Sequence, residues 1–173
     1  MTVPPKSVID ESSLGRMTQL ARKSPPGRFC EVGVYKGGSA WPLAALARER
    51  GVSLHLFDTF TGIPFEAPGD SNRKGEFGDT SAETVQAALP DANLHVGVFP
   101  DTLPAWLDDI AFVHCDCDQY ASVRAVIDTL WPRMVPGAVM VFDDMNTTGG
   151  IRAITETFGK PHEFFGRSYV VKT

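Results

Sequence analysis

Short apolar runs alternate with helical stretches along most of this chain, and this alternation constrains the fold more than any other feature. The runs predict seven strands, at 28–34, 54–58, 93–98, 110–117, 138–142, 162–165 and 168–172. The stretches between them predict helices at 10–22, 38–50, 121–131 and 150–158, with a short one opened by a capping box at Thr80–Glu83. Buried parallel strands are apolar on both faces and are followed by helices. The order therefore predicts an α/β fold, namely a Rossmann-like, doubly wound, mostly parallel sheet with helices on both faces.

Punctuation residues refine this outline at two places. Pro136 and Gly137 are expected to turn the chain into the strand at 138–142. A Gly- and Pro-rich loop is expected from Thr59 to Gly78. At 173 residues the chain fits one domain, with an N-terminal helix and linker at 1–27 and the core at 28–173.

Charge and composition exclude several classes of function. The net charge is −5 and basic residues form no cluster, so a nucleic-acid partner is not expected. No apolar run reaches the roughly 18 residues of a membrane span, and the N-terminus lacks the apolar stretch of a secretory signal. Three cysteines, at 30, 115 and 117, lie in apolar runs. We expect reduced, buried thiols in a cytoplasmic protein.

A glycine-rich turn at 33–39 joins the first core strand to its helix. Glycines at this point let the backbone approach a ligand at the helix N-terminus. Asp58 ends the next strand, where a carboxylate can accept hydrogen bonds from ribose hydroxyls. Because ligands of open α/β sheets bind beyond the carboxyl ends of the strands, these features predict an adenosine-containing ligand.

The charge at Glu31 distinguishes between adenosine ligands. A dinucleotide would place its pyrophosphate against the turn, where Glu31 would repel it, and the glycine spacing also departs from the dinucleotide pattern. S-adenosylmethionine has no phosphate, and its amino and sulfonium groups are cationic, so Glu31 would suit it directly or through water. The alternative is that the glycines only form a tight turn and that Glu31 pairs with a buried base.

Aspartates gather at the ends of two further strands. Strand alternation places Phe112, His114, Asp116 and Asp118 on one face, provided that the strand persists, and the two nearby cysteines on the other. The next strand ends in Asp143–Asp144, and parallel neighbours would bring both acidic ends to one rim. Crowded carboxylates repel each other unless a cation joins them, and oxygen ligands favour magnesium. Such an ion would lower the pKa of a substrate hydroxyl, and a further carboxylate would accept its proton.

Other interpretations of these residues remain open. Cys115 and Cys117 could form a thiolate metal site, although a single Cys-x-Cys is a weak zinc signal. Asp118 and Asp144 could cap helices. His114, inside an apolar strand, is more typical of a hydrogen-bonded core residue than of a catalyst.

Four ordered blocks resemble the macrocin O-methyltransferase family, and the resemblance covers roughly residues 29–158. The blocks are Glu31–Ser39, Phe57–Pro64, His114–Tyr120 and Phe142–Asp144. Members of this family are class I enzymes that use S-adenosylmethionine and a metal ion to methylate sugar hydroxyls of macrolide and aminocoumarin natural products. The resemblance implies magnesium held by Asp116, Asp143 and Asp144, with Asp118 as the base that deprotonates the acceptor.

The resemblance also completes the set of cofactor contacts. Those expected are Glu31, Val32, Gly33, Gly37, Ser39, Asp58, Thr59, Phe60, Asp79 and Asp116. The chain departs from the family in having only about 28 residues before the first core strand, and in the segment that follows Asp144. We therefore expect an O-methyltransferase for a small hydroxylated acceptor, such as a natural-product sugar, whose open pocket a second subunit of a homodimer would complete. The alternatives are a non-catalytic S-adenosylmethionine-binding protein and a hydroxylase-like relative with another cofactor.

Overall fold

One mixed sheet organises the chain. The computed structural model describes residues 4–143, 145 and 147–173. The strands are β1 Arg28–Val32, β2 Leu54–Asp58, β3 Asn93–Val96, β4 Ile110–Cys115, β5 Met134–Phe142, β6 His162–Phe164 and β7 Arg167–Val171. The helices are α1 Glu11–Lys23, α2 Ala40–Arg50, α3 Ala82–Ala88, α4 Tyr120–Leu130 and α5 Thr148–Phe158, and a 3-10 turn follows at Trp131–Arg133.

The strand order across the sheet is β3-β2-β1-β4-β5-β7-β6. The first five strands pair in parallel, and β7 runs antiparallel between β5 and β6. The chain therefore reverses its winding direction between the neighbours β1 and β4, where ligands of such sheets bind. The predicted doubly wound, mostly parallel fold is confirmed.

Two apolar cores cover the two faces of the sheet. On one face, Met17 of α1, Leu43 of α2 and Val85 of α3 pack against Phe29 and Phe112 of the sheet. On the other face, the buried residues of α4 and α5 pack against Cys30, Val113 and Met140, among others. Burial on both faces explains why the central strands carry near-continuous apolar runs.

Backbone hydrogen bonds align the carboxyl ends of the central strands. The N–H of Gly33 donates to Phe57 O at 3.0 Å, that of Asp116 to Val32 O at 2.9 Å, and that of Asp143 to Cys115 O at 3.0 Å. The residues that follow β1, β4 and β5 are thus held side by side at one rim. The expectation that parallel neighbours would bring the acidic strand ends together is confirmed for Asp116 and Asp143.

Several predicted boundaries were wrong. β1 ends at Val32 and β4 at Cys115, two residues early in each case, because the next residues enter turns. Pro136 and Gly137 do not precede β5 but lie within it, at a shift in register against β4. A bulge of this kind tolerates a proline, because the extra residue leaves the hydrogen-bonding ladder.

The start of α3 also differs from the prediction. Ser81, not Thr80, is the N-cap residue, and its hydroxyl accepts from the Thr84 N–H. The Thr80 hydroxyl instead donates to Tyr35 O at 2.8 Å and so ties this segment to the glycine turn. Within the residues that the structure describes, no helix is both long and apolar enough to cross a bilayer.

Candidate active site

A cleft of about 430 Å³ opens at the carboxyl rim of the sheet. This volume lies in the range of small-molecule sites. Val32, Gly33 and Asp58 line this cleft together with Asp116, Asp118 and Asp143. The 59–78 loop contributes Ile63, Ser71, Asn72 and Phe77 among others. No Lys, Arg or His belongs to the cleft lining in the described part of the chain, so its ionisable carboxylates, Asp58, Asp116, Asp118 and Asp143, face no basic side chain within the cleft.

Gly33 makes the close packing of this rim possible. Its φ is +87°, in the left-handed region that favours glycine, and a Cβ built there would lie 1.7 Å from the carbonyl oxygen of Asp116. A side chain at this position would push apart β1 and the segment that carries Asp116. Glycine at this position is therefore needed both for the turn itself and for the close packing of β1 against the segment that carries Asp116.

Asp58 fixes the glycine turn from the neighbouring strand. Its Oδ2 accepts from the N–H groups of Val34 and Tyr35 at 2.6 and 2.8 Å, and its Oδ1 accepts from the Phe60 N–H at 2.7 Å. The carboxylate thus organises the backbone on both sides of the cleft. A carboxylate has about four acceptor sites, and these three hydrogen bonds leave one, on Oδ1, for the predicted contact with a ribose hydroxyl.

Glu31 lies in β1, opposite His114 of β4, and is fully buried. Its Oε1 accepts from the Ser39 hydroxyl and lies 3.0 Å from Nδ1 of His114, which is also fully buried. The alternative that Glu31 pairs with a buried base therefore describes its contacts in the structure. Burial alone would lower the pKa of His114, but the hydrogen bond and charge of Glu31, aided by nearby aspartates, raise it to about 9.

Asp116 and Asp143 lie close to His114. One potential ligand atom from each lies within 4.8 Å of the others. The His114 Nε2 is buried and has no hydrogen-bond partner among the described residues. Asp143 also accepts from Nε of Arg167 in β7, a residue that the sequence analysis did not identify. Asp144, the third predicted metal ligand, lies outside the described residues.

Asp118 occupies a strained turn after β4, with a φ of +62°. Thr147 holds this turn by donating to Asp118 O at 2.9 Å. Burial and the charge of Asp143 raise the pKa of the Asp118 carboxyl to about 6, although a hydrogen bond from Asn72 opposes the rise. The group is therefore more basic than an ordinary aspartate and still mostly ionised at neutral pH.

The predicted cofactor contacts fall into two groups. Those that line the cleft are Val32, Gly33, Asp58, Thr59 and Asp116. Those outside its lining are Glu31, Gly37, Ser39, Phe60 and Asp79. Asp79 is exposed and accepts from the Tyr35 hydroxyl and the Lys36 ammonium, at 2.8 and 2.5 Å. Roles for these residues at a bound cofactor stay predictions.

Two expectations about the acidic segment were wrong. Cys117 is only half-buried and lines the cleft, and its Sγ lies 3.4 Å from that of the buried Cys115. The strand ends too early for the alternation to place Cys117 in the core. Helix α4 has Gln119 as its N-cap residue, and its first N–H, that of Tyr120, is satisfied by Asp70 rather than by Asp118. The capping interpretation of Asp118 is therefore wrong for this helix.

The model of a family described as a methyltransferase domain matches residues 30–145, which include the glycine turn and both acidic strand ends. The chain belongs to this methyltransferase-domain family. The match shows this family and does not by itself show the narrower macrocin family.

Individual relatives of this methyltransferase domain agree with the assignment. The chain is 32% identical, over 69% of its length, to an 8-demethyl-8-(2,3-dimethoxy-alpha-L-rhamnosyl)-tetracenomycin-C 4'-O-methyltransferase of Streptomyces olivaceus. It covers 53% of that protein, and thus spans about half the length of the curated relatives it matches.

Solved structures share the fold of this domain. The O-methyltransferase NovP superposes with a TM-score of 0.82 at 24% identity, over 96% of this chain and 82% of that one. The O-methyltransferase TomG from Streptomyces achromogenes, determined in complex with SAM, gives 0.66 at 16% identity, over 96% and 82%. At these identities the likeness supports the fold alone.

Proposed function

We propose that this methyltransferase domain transfers a methyl group from S-adenosylmethionine to a hydroxyl of a small molecule, such as a sugar of a natural product. One observation carries the proposal. A single cleft is lined by Gly33 of the glycine turn and Asp58, and also by Asp116, Asp118 and Asp143. A donor site and a potential base thus share one cavity.

The donor end favours S-adenosylmethionine over a phosphate-containing adenosine ligand. Asp58 and Asp116 line this part of the cleft, and Glu31 lies buried behind it. No basic side chain from the described residues lines the cleft to balance a pyrophosphate. The acidic lining suits a ligand with cationic amino and sulfonium groups.

The residues at the acidic rim fit a divalent cation. Asp116 and Asp143 offer carboxylate oxygens, the ligands that Mg²⁺ prefers, and their potential ligand atoms lie within 4.8 Å of one another. We propose that Asp116 and Asp143 hold Mg²⁺, with Asp144 as the third ligand that the family resemblance implies. When bound, the ion would lower the pKa of the acceptor hydroxyl.

Asp118 is the proposed base. Its carboxylate lines the cleft together with Asp116 and is separated from it by one residue, so it can accept the proton of a hydroxyl held at the acidic rim. The acceptor oxygen forms its bond to the methyl carbon as the bond from that carbon to sulfur breaks. Holding both reactants in line within the cleft can contribute on the order of 7–11 kcal/mol to lowering the barrier.

The acceptor side has a neutral polar character. Ser71, Asn72, Ser122 and Thr147 contribute hydroxyl and amide groups to the cleft lining. Such a mixture suits an uncharged, hydroxylated acceptor. The relative from Streptomyces olivaceus is named for a rhamnosyl compound, and we extend this kind of acceptor to the present chain as part of the proposal.

Cofactor binding and turnover test the proposal together. Titration calorimetry with S-adenosylmethionine is expected to show a single site. Mass spectrometry of a panel of rhamnosides incubated with protein, cofactor and Mg²⁺ is expected to show one added methyl group, and excess chelator should stop the reaction. Binding without transfer to any hydroxylated acceptor would favour a non-catalytic binding protein instead.

Asp116→Asn tests the metal assignment. The substitution keeps the shape of the side chain but removes its charge, so Mn²⁺ binding followed by electron paramagnetic resonance should weaken and turnover should fall. Glu163→Gln, which neutralises an exposed acid on β6, is the matched control and should leave both unchanged. Full activity in Asp116→Asn would contradict the assignment.

A further inference from the structure

The segment 64–78 crosses the acceptor side of the cleft without forming a helix or strand. It is held by contacts with the starts of two helices. Asp70 Oδ1 accepts from the N–H of Tyr120, the first residue of α4, at 3.0 Å. Ser71 Oγ accepts from the N–H of Thr148, the first residue of α5, at 3.3 Å. Gln119, which is fully buried, donates from its amide to Phe65 O.

Asp70 contributes the only charged group among these three contacts. A carboxylate at a helix N-terminus satisfies an otherwise unpaired N–H and interacts favourably with the helix dipole. The second oxygen of Asp70 is buried and has no hydrogen-bond partner among the described residues. This oxygen of Asp70 is therefore held away from solvent, although the residue as a whole is only half-buried.

The first turn of α5 leaves space for the Asp70 carboxylate, which binds the neighbouring start of α4. Gly149 lies in the first turn of α5, and a Cβ at this position would be 2.2 Å from Asp70 Oδ1 and 2.6 Å from the Tyr120 nitrogen. No side chain could occupy this space while Asp70 stays in place. The glycine in α5 and the aspartate in the loop, far apart in the sequence, therefore form one joint.

The docked segment places a polar group at the proposed base. Asn72, two residues after Asp70, lines the same cleft as Asp118, and its side-chain amide lowers the pKa of the Asp118 carboxyl. Because an ionised carboxylate only accepts, the amide of Asn72 is the donor. Undocking of the segment would remove this donor and open the acceptor wall of the cleft.

We infer that Asp70 is a positioning residue whose carboxylate locks segment 64–78 onto the first residues of α4 and α5 and thereby holds Asn72 against Asp118. The inference rests on the proposed function in so far as Asp118 is the base. The docking itself is a property of the fold and can be measured without turnover.

Trypsin reports the docking directly, because Arg73 and Lys74 are exposed within the segment. Asp70→Ala should be cut at these two sites about tenfold faster than the unaltered protein, as expected for the loss of one charge-assisted hydrogen bond. Gly149→Ala keeps the carboxylate but blocks its place, and should give the same result. Asp70→Asn retains an acceptor oxygen and should be intermediate. Glu66→Gln, an exposed acid of the same segment, is the matched control.

Nuclear magnetic resonance reports the contact with the base. The side-chain amide signal of Asn72 can be assigned from its absence in Asn72→Ser. Its chemical shift should move to that of a solvent-exposed amide in Asp70→Ala and Gly149→Ala, and should stay unchanged in Glu66→Gln. An unchanged trypsin rate or an unmoved amide signal in both variants would overturn the inference. So would an equal rise in cleavage at Arg124 within α4, since the whole domain would then be destabilised.

Turnover separates this inference from the proposed function. In a protein that methylates a rhamnoside, Asn72→Ser should lower kcat while leaving the trypsin rate and the affinity for S-adenosylhomocysteine within twofold of those of the unaltered protein. An unchanged kcat would contradict the role of Asn72 at the base. If the unaltered protein transfers no methyl group, the proposed function fails, while the trypsin and amide results still decide the docking.

Discussion

Replacing Gly33 by alanine should destabilise the domain far more than its small change in volume suggests. The residue has a φ of +87°, and the new Cβ would approach the carbonyl oxygen of Asp116 to 1.7 Å. Left-handed backbone costs a non-glycine residue about 1–2 kcal/mol, and relieving an overpacked contact costs about 1–3 kcal/mol more. We therefore expect a loss of about 2–5 kcal/mol, which lowers the melting temperature by roughly 4–20 °C for a chain of this length.

Gly51→Ala is the matched control for this experiment. Gly51 follows α2 with a φ of +64°, and a Cβ there would have nothing within 4 Å. It carries the backbone strain without the close contact, so a loss of only about 1–2 kcal/mol is expected. Calorimetric unfolding of both variants, with S-adenosylhomocysteine binding measured alongside, isolates the contact. Equal melting temperatures for the two variants, or normal cofactor binding by Gly33→Ala, would refute the claim that Gly33 joins the two halves of the site.

Three further predictions concern charged and titrating groups. Burial, with the charge of His95, lowers the pKa of His55 from 6.5 to about 4. The fold therefore has its full stability above pH 6.5, and the free energy of unfolding should fall by up to about 2–3 kcal/mol as the pH drops to 4. Denaturant unfolding should show this pH dependence in the unaltered protein and a weaker one in His55→Leu. Asp58→Ala leaves three backbone N–H groups without their acceptor; unfolding should show a loss of about 1–3 kcal/mol and calorimetry a weaker cofactor affinity, whereas undiminished affinity would contradict its place in the cofactor site. Arg167→Met leaves the mostly buried Asp143 without its guanidinium partner. The free energy of unfolding should fall by about 1–3 kcal/mol. A double-mutant cycle with Asp143→Asn that shows no coupling would contradict the pairing.

The sheet was largely predictable from the sequence, because strands buried on both faces leave continuous apolar runs. The end of β2 at Asp58 was predicted correctly, whereas β1 and β4 end two residues earlier than predicted. At those ends Gly33 and Asp116 still form ladder-like backbone hydrogen bonds, but the chain has begun to turn. The apolar pattern continues through such residues and therefore does not mark the turn.

The candidate site was predictable where parallel strands dictate adjacency, and not elsewhere. Neighbouring strand ends brought Asp116 and Asp143 together as expected. The partners that set their surroundings lie far away in the sequence: Asp70 meets Tyr120 across 50 residues, and Arg167 meets Asp143 across 24. Such contacts depend on how loops settle on the finished fold, and local patterns carry no signal for them.

We propose that the glycine turn and the acidic rim together form one site for methyl transfer to a hydroxyl. The most direct measurement is mass spectrometry of a rhamnoside incubated with S-adenosylmethionine and Mg²⁺, using the unaltered protein and Asp118→Asn in parallel. The account predicts one added methyl group with the unaltered protein and a large loss of rate, without loss of cofactor affinity, in Asp118→Asn. Equal rates for the two proteins would contradict the role of Asp118, and cofactor binding without any transfer would contradict the claim itself.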